Sequence, residues 1–137
     1  MMVSSKGRYA LRIMLDLAQH MDDGYISLAR ISEREKISVK YLEAVVAILN
    51  KAGLVESQRG KEGGYRLTKT PEEYTVASII KLTEHSIAPV SCLDSENNSC
   101  ARAYHCLTLP MWARLEEIIN EYLESITLKD LIEQKIK

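Results

Sequence analysis

Residues 27–67 read SLARISEREKISVKYLEAVVAILNKAGLVESQRGKEGGYRL. The spacing of apolar residues changes along this stretch, and the architecture follows from those changes. Ser27 is a candidate N-cap for a short helix over 28–35 that buries Leu28 and Ile31. Ser38 repeats that role for a helix over 39–51, with Leu42, Val45, Val46 and Leu49 on its inner face. Gly53 closes it as a left-handed residue. Two helices joined by a tight Lys36–Ile37 connection outline a helix-turn-helix. A short strand over 54–58 and a partner over 65–67 follow at once. The six residues between them, 59–64, include three glycines, which suits a hairpin loop. A helix-turn-helix followed by a basic, glycine-rich hairpin is a winged helix. Such a unit suits DNA, because one helix fits a major groove of about 12 Å. Arg59 could enter a narrow A·T minor groove. Read blandly, the glycines make a plain tight turn, and Arg59 and Lys61 are solvated charges.

The flanks extend this unit. Tyr9, Ala10, Ile13, Met14, Leu17 and Ala18 form the stripe of an amphipathic helix over 5–20. Pro71 breaks the chain, and Thr75 caps a helix carrying Val76, Ile79, Ile80 and Leu82. Pro110 starts a long helix to about Ile126, with a seam of Leu115, Ile118, Ile119, Tyr122, Leu123 and Ile126. That seam either packs within one chain or pairs with its copy in a second subunit. Thr127 and Asp130 resemble a capping box for a last helix over 128–135. The expected fold is mainly α: a winged helix-turn-helix over 1–74, then a cysteine loop and C-terminal helices over 75–137, the long one a candidate for dimerisation.

Composition bounds the function. The chain has 137 residues, 46% hydrophobic and 27% charged, enough for a packed core. No run of about 18 apolar residues is present, so no membrane span is expected. The N-terminus lacks the pattern of a signal peptide, which points to the cytoplasm. Residues 1–74 carry 12 Lys/Arg against 10 Asp/Glu, whereas 75–137 carry 6 against 9. That asymmetry weakly favours an anionic partner for the first half.

All three cysteines, Cys92, Cys100 and Cys106, lie in a polar stretch with no apolar periodicity. In a reducing compartment, clustered thiols more often bind metal or sense redox state than form structural disulfides. Zinc held by three cysteines and His105 is chemically sound, and a thiol switch is an alternative. An enzyme using Cys106 and His105 as nucleophile and base is disfavoured. Adjacent residues rarely face each other, and no orienting third group is in evidence.

Several motifs in order now carry a resemblance: SKGRYAL at 5–11, ISER at 31–34, YLE at 41–43, AGLVES at 52–57 and GGYRL at 63–67. The patterns CLTxxxW at 106–112 and ITLxDL at 126–131 extend it over nearly the whole chain. The sequence resembles the Rrf2 family of bacterial transcription regulators. That group includes an iron–sulfur cluster regulator, a nitric-oxide-sensing repressor and a cysteine-metabolism regulator. The resemblance implies a homodimer on a pseudo-palindromic double-stranded operator. It places Ser38, Lys40, Tyr41 and Glu43 at the DNA end of the recognition helix. Ser38 and Tyr41 would contact phosphate or position the helix, and Glu43 would accept from a cytosine amino group or repel other bases. It makes Arg59 the minor-groove reader, passes the backbone at Gly63 and Gly64, and lets Ser5, Lys6 and Arg8 add phosphate contacts. It implies an iron–sulfur cluster, 2Fe-2S or 4Fe-4S, on Cys92, Cys100 and Cys106. Leu109 stands where one relative has its histidine ligand, so His105, His85, Asp94, Glu96 or a small exogenous ligand would complete the set. A cluster-free regulator of cysteine metabolism is the alternative within the family.

Overall fold

Side-chain hydroxyls start five of the six α-helices among the described residues. A computed structural model describes residues 3–93 and 105–136. Ser4 caps α1 (Ser5–Gln19), Ser27 caps α2 (Leu28–Glu35) and Ser38 caps α3 (Val39–Lys51). Thr75 caps α4 (Val76–Thr83) and Thr127 caps α6 (Leu128–Ile132). Each oxygen accepts a backbone N–H three residues on, at 3.0–3.3 Å. That bond satisfies one of the donors that a helix start leaves without a partner. The exception is α5 (Leu109–Ser125), which begins with Leu109-Pro110 and has no side-chain cap bond. Proline costs nothing in a first turn, whose N–H groups have no intrahelical partner. At Thr127 the capping box is complete, with the Asp130 carboxylate accepting the Thr127 N–H at 3.0 Å.

The turn between α2 and α3 contains no glycine. Lys36 takes the left-handed conformation at φ 59°, which costs a non-glycine residue about 1–3 kcal/mol. Two features hold it there: the Ser32 hydroxyl donates to the Ile37 carbonyl at 2.6 Å, and the Ile37 side chain is buried. After α3, Gly53 adopts φ 79° as expected of the residue that closes a helix.

The wing is β1 (Val55–Gln58) paired antiparallel with β2 (Gly64–Leu67), in the register Val55 to Leu67 and Gln58 to Gly64. Val55 and Leu67 turn inward. Tyr65 exchanges two 2.8 Å bonds with Ile26, tying the wing to the segment before α2. Tyr74, fully buried, clasps the base. Its hydroxyl donates to the Leu54 carbonyl at 2.8 Å and accepts the N–H groups of Thr68 and Lys69.

One core collects Ile13, Met14 and Leu17 of α1, Ile31 of α2, Leu42, Val45 and Leu49 of α3, and the inward wing residues. Ile79 of α4 and Leu128 of α6 join the same cluster, so the core crosses residue 74. A second cluster joins Val76, Ile80, Ile87 and Ile126, with Ile119 and Leu123 of α5 packed against it. The expected α5 seam therefore divides. Ile119, Leu123 and Ile126 face the body, while Leu115, Ile118 and Tyr122 stay exposed together with Met111. None of the 17 residues of α5 is buried. The last helix is shorter than the expected 128–135. Gln134 turns to φ 58° two residues after Ile132, and the α-helical path ends there.

No helix among the described residues is long and apolar enough to cross a membrane.

Candidate nucleic-acid interface and cysteine segment

The exposed side of α3 begins at its N-terminus. The Ser38 oxygen accepts the Tyr41 N–H at 3.2 Å, so its hydroxyl hydrogen remains to donate outward. Lys40 and Glu43 are exposed one helical turn apart. Tyr41 is half-buried and stacks edge-on against Tyr9 of α1, centroids 5.4 Å apart and planes at 86°. The Arg12 guanidinium covers the other ring of that pair, 5.3 Å from the Tyr9 centroid. Tyr41 is thereby held by packing, as a side chain that presents an oxygen in one place must be. Val39 is also exposed, an apolar group beside two charges at the tip of α3. Sequence reasoning did not single it out.

Arg59 is exposed at the end of β1, with Lys61 exposed in the turn. Among the described residues, Lys6, Lys40, Glu43, Arg59 and Lys61 take part in no salt bridge, whereas Arg12, Arg34 and Arg66 do. The charges on this face are thus open to a partner, whereas Arg12, Arg34 and Arg66 are used internally. Arg66 pairs with Glu56 across the hairpin and lies 4.4 Å over the Tyr25 ring. The hydrogen bond to Glu56, above all, holds the Arg66 guanidinium above its ordinary pKa. Lys61 and Arg30 of α2 line one recess of about 520 Å³ between wing and helix-turn-helix. Arg30 was another residue the sequence reading passed over.

Gly63 and Gly64 have reasons inside the chain. A Cβ on Gly63 would stand 2.3 Å from the Gln58 carbonyl oxygen, and one on Gly64 would stand 2.3 Å from the Ile26 carbonyl. The wing could not pack on the segment before α2 with a larger residue at 64.

The orientation of α2 rests on Asp16, the one buried charged side chain among the described residues. Arg34 donates to both its oxygens, at 2.9 and 2.7 Å. This hydrogen bonding, more than the charge alone, raises the Arg34 pKa above its ordinary value. Arg12 adds a second α1–α2 link, donating to the Glu35 carboxylate and its carbonyl. Ser5 and Lys6 are exposed on the first turn of α1, and the Arg8 guanidinium donates to the Ser5 hydroxyl at 3.2 Å.

Cys92 is half-buried in a 3-10 turn, Ser91–Leu93, after α4. Cys106 is half-buried just before α5, its sulfur 3.3 Å from the Thr108 hydroxyl. His105 is exposed beside it, and His85 is exposed between α4 and Cys92. Cys100, with Asp94 and Glu96, lies outside the described residues. Among the described residues no three His, Cys, Asp or Glu side chains converge on a metal-sized site. The donor chemistry nevertheless fits an iron–sulfur group: thiols that solvent can reach, on the two segments that flank residues 94–104. Leu109 opens α5 and offers no donor.

A profile for Rrf2, described as an iron-dependent transcriptional regulator, matches residues 3–134. The transcriptional regulator IscR of Pectobacterium atrosepticum is 42% identical over 135 residues, covering 98% of this chain and 81% of the relative. Among solved structures, T. potens IscR is 38% identical with a TM-score of 0.78, over 98% of this chain and 88% of that one. CymR (YrzC), the global cysteine regulator of B. subtilis, is 37% identical with a TM-score of 0.77, over 96% and 95%.

Proposed function

The chain belongs to the Rrf2 family of DNA-binding transcriptional regulators, and from that premise we propose that it binds a pseudo-palindromic operator as a cytoplasmic homodimer, with an affinity set by an iron–sulfur cluster on Cys92, Cys100 and Cys106. The observation that carries the DNA reading is the set of exposed charges on α3 and the wing that no internal partner uses. In this reading α3 enters the major groove. Lys40 approaches phosphate, and Ser38 and Tyr41 donate hydroxyl hydrogens to phosphate oxygens. Glu43 accepts from a cytosine amino group. Arg59 enters the minor groove from the wing. Gly63 and Gly64 keep the wing thin enough to pass the backbone. Ser5 and Lys6 add phosphate contacts from α1.

Dimerisation is supported by α5. Met111, Leu115, Ile118 and Tyr122 are exposed by 53, 38, 46 and 44%. Their spacing of four, three and four residues forms a continuous apolar strip about 16 Å long on a straight helix. A second copy of the strip would cover it, and a two-fold dimer matches a two-fold operator. Residues 1–74 then read DNA, and 75–137 hold the partner and the sensing group.

For the cluster, the three cysteines would be thiolate ligands and exposed His105 the fourth donor. When bound, such a group supplies iron whose ligation responds to oxidants and small molecules. The chain's own part is to tie the two ends of the segment to α4 and α5, so that loop order and dimer geometry change together. Linkage of this kind typically shifts affinity about 5- to 150-fold. The likeness to a cysteine regulator supports a second reading. In that reading the same DNA reader is cluster-free, and its thiols act as a switch or hold zinc. Anaerobic purification with an absorption spectrum and counts of iron and acid-labile sulfide separates the readings. Visible absorption with iron and sulfide in equal amounts is expected. A colourless, iron-free protein after reconstitution would favour the second reading, and His105→Ala should shift the spectrum if His105 is a ligand.

A further inference from the structure

α4 ends against the start of α1. Ser4, the N-cap of α1, donates its backbone N–H at 2.9 Å and its hydroxyl at 2.6 Å to the same carboxylate oxygen of Glu84. The Ser4 oxygen in turn accepts the Gly7 N–H at 3.2 Å. Glu84, Ser4 and Gly7 thus form a single hydrogen-bonded chain through the first turn of α1. Gly7 is buried, and a Cβ there would stand 2.3 Å from the Glu84 oxygen and 3.2 Å from the Thr83 hydroxyl. Glycine at position 7 opens the space that the carboxylate fills. The carboxylate also sits at the positive end of the α1 dipole.

The two neighbourhoods joined here differ in function. Glu84 terminates α4 in extended backbone, φ −100° and ψ 136°, and residues 85–91 lead from it to Cys92. On the α1 side, Ser5 and Lys6 follow Ser4 and are exposed. The first turn of a helix frays when its N–H groups lack partners, and a frayed turn cannot hold a lysine at a fixed distance from phosphate.

We propose that Glu84 is a positioning residue for DNA binding: its carboxylate fixes the first turn of α1 so that Lys6 meets phosphate from a set position, and it joins that turn to the root of the cysteine segment. The inference rests on the reading of Ser5 and Lys6 as phosphate contacts. A purely structural role for Glu84 would lower thermal stability and leave the contribution of Lys6 unchanged.

The test is a double-mutant cycle on operator binding by the full chain, with the dissociation constant measured across a range of salt. The variants are Lys6→Ala, Glu84→Ala, the double variant and Glu84→Gln. Removing one lysine–phosphate interaction should reduce the salt slope by about one. Lys6→Ala is expected to weaken binding several-fold and reduce the slope. Glu84→Ala should reproduce both changes while the protein stays folded by circular dichroism. The double variant should be no worse than either single one, and Glu84→Gln, which keeps an acceptor oxygen, should retain the wild-type slope. Additive losses in the double variant, or a wild-type slope in Glu84→Ala, would overturn the proposal. If Lys6→Ala alone changes nothing, the reading of Lys6 as a phosphate partner fails and the proposal falls with it. That outcome is distinct from additivity, which leaves the reading intact.

Discussion

α1 and α5 are helices of similar length that use apolar residues in opposite ways. α1 buries Ala10, Ile13, Met14 and Leu17 to 1% exposure or less. α5 buries none of its residues, and its outer strip meets solvent. The first helix is complete within one chain, because α2, α3, α4, α6 and β2 surround it. Among the described residues the second packs its apolar side chains on the body through Ile119 and Leu123, with Glu124 paired to Lys81 of α4, and its other apolar edge has the period of a two-helix seam. In the proposed dimer, this division separates stability from assembly. Substitutions in α1 should act on folding, and those on the outer edge of α5 on association.

That contrast can be broken most sharply by truncating its buried side. Ile13→Ala should destabilise the fold by about 2–5 kcal/mol in denaturant unfolding, and an effect below about 1 kcal/mol would mean the α1 core is looser than described. On the other side, Ile118→Asp would place a charge in the seam of both copies of the proposed dimer. The dimer dissociation constant should rise about 100-fold, near 2.7 kcal/mol, in sedimentation equilibrium, with the thermal midpoint of the body little changed. A wild-type chain that is monomeric at micromolar concentration would remove the α5 half of the contrast altogether.

Smaller effects sharpen it. Asp16→Ala leaves the Arg34 guanidinium without its partner. Breaking a fully buried pair costs about 3–5 kcal/mol, but the Arg34 side chain is 32% exposed, so water compensates and about 1–3 kcal/mol is expected. Operator affinity should fall as well, since α2 and α3 would lose their fixed angle to α1. Thr127→Ala removes one arm of the capping box and should cost about 1 kcal/mol, read as a small drop in midpoint without change in oligomeric state.

The helix-turn-helix and wing were legible because their signals are local. Ser27 and Ser38 announce helix starts, Gly53 a helix end, and the glycines at 60, 63 and 64 a hairpin. What escaped depends on partners far apart in the chain. Asp16 sits between Leu15 and Leu17 and could have been flagged as an acid in an apolar run, but its partner is 18 residues away. Tyr74 looks like any tyrosine until its hydroxyl meets Leu54, 20 residues back. The α5 seam read as one broad stripe because a 3.6-residue period cannot say which edge faces the body. α6 ends early, at Ile132, ahead of Gln134, a residue type that gives no warning of positive φ. The cysteines were visible as a group, yet the ligand set they would complete depends on spatial neighbours that sequence order does not reveal.

In the proposed function, the state of the cysteine segment sets operator affinity. This claim is tested most directly by measuring the dissociation constant of one operator duplex, at one salt concentration, for the same dimer with its cysteine-bound group present and after that group is removed anaerobically. At least a fivefold difference is expected, abolished in Cys106→Ala. Equal affinities for the two forms of a protein shown to carry the group would contradict the claim.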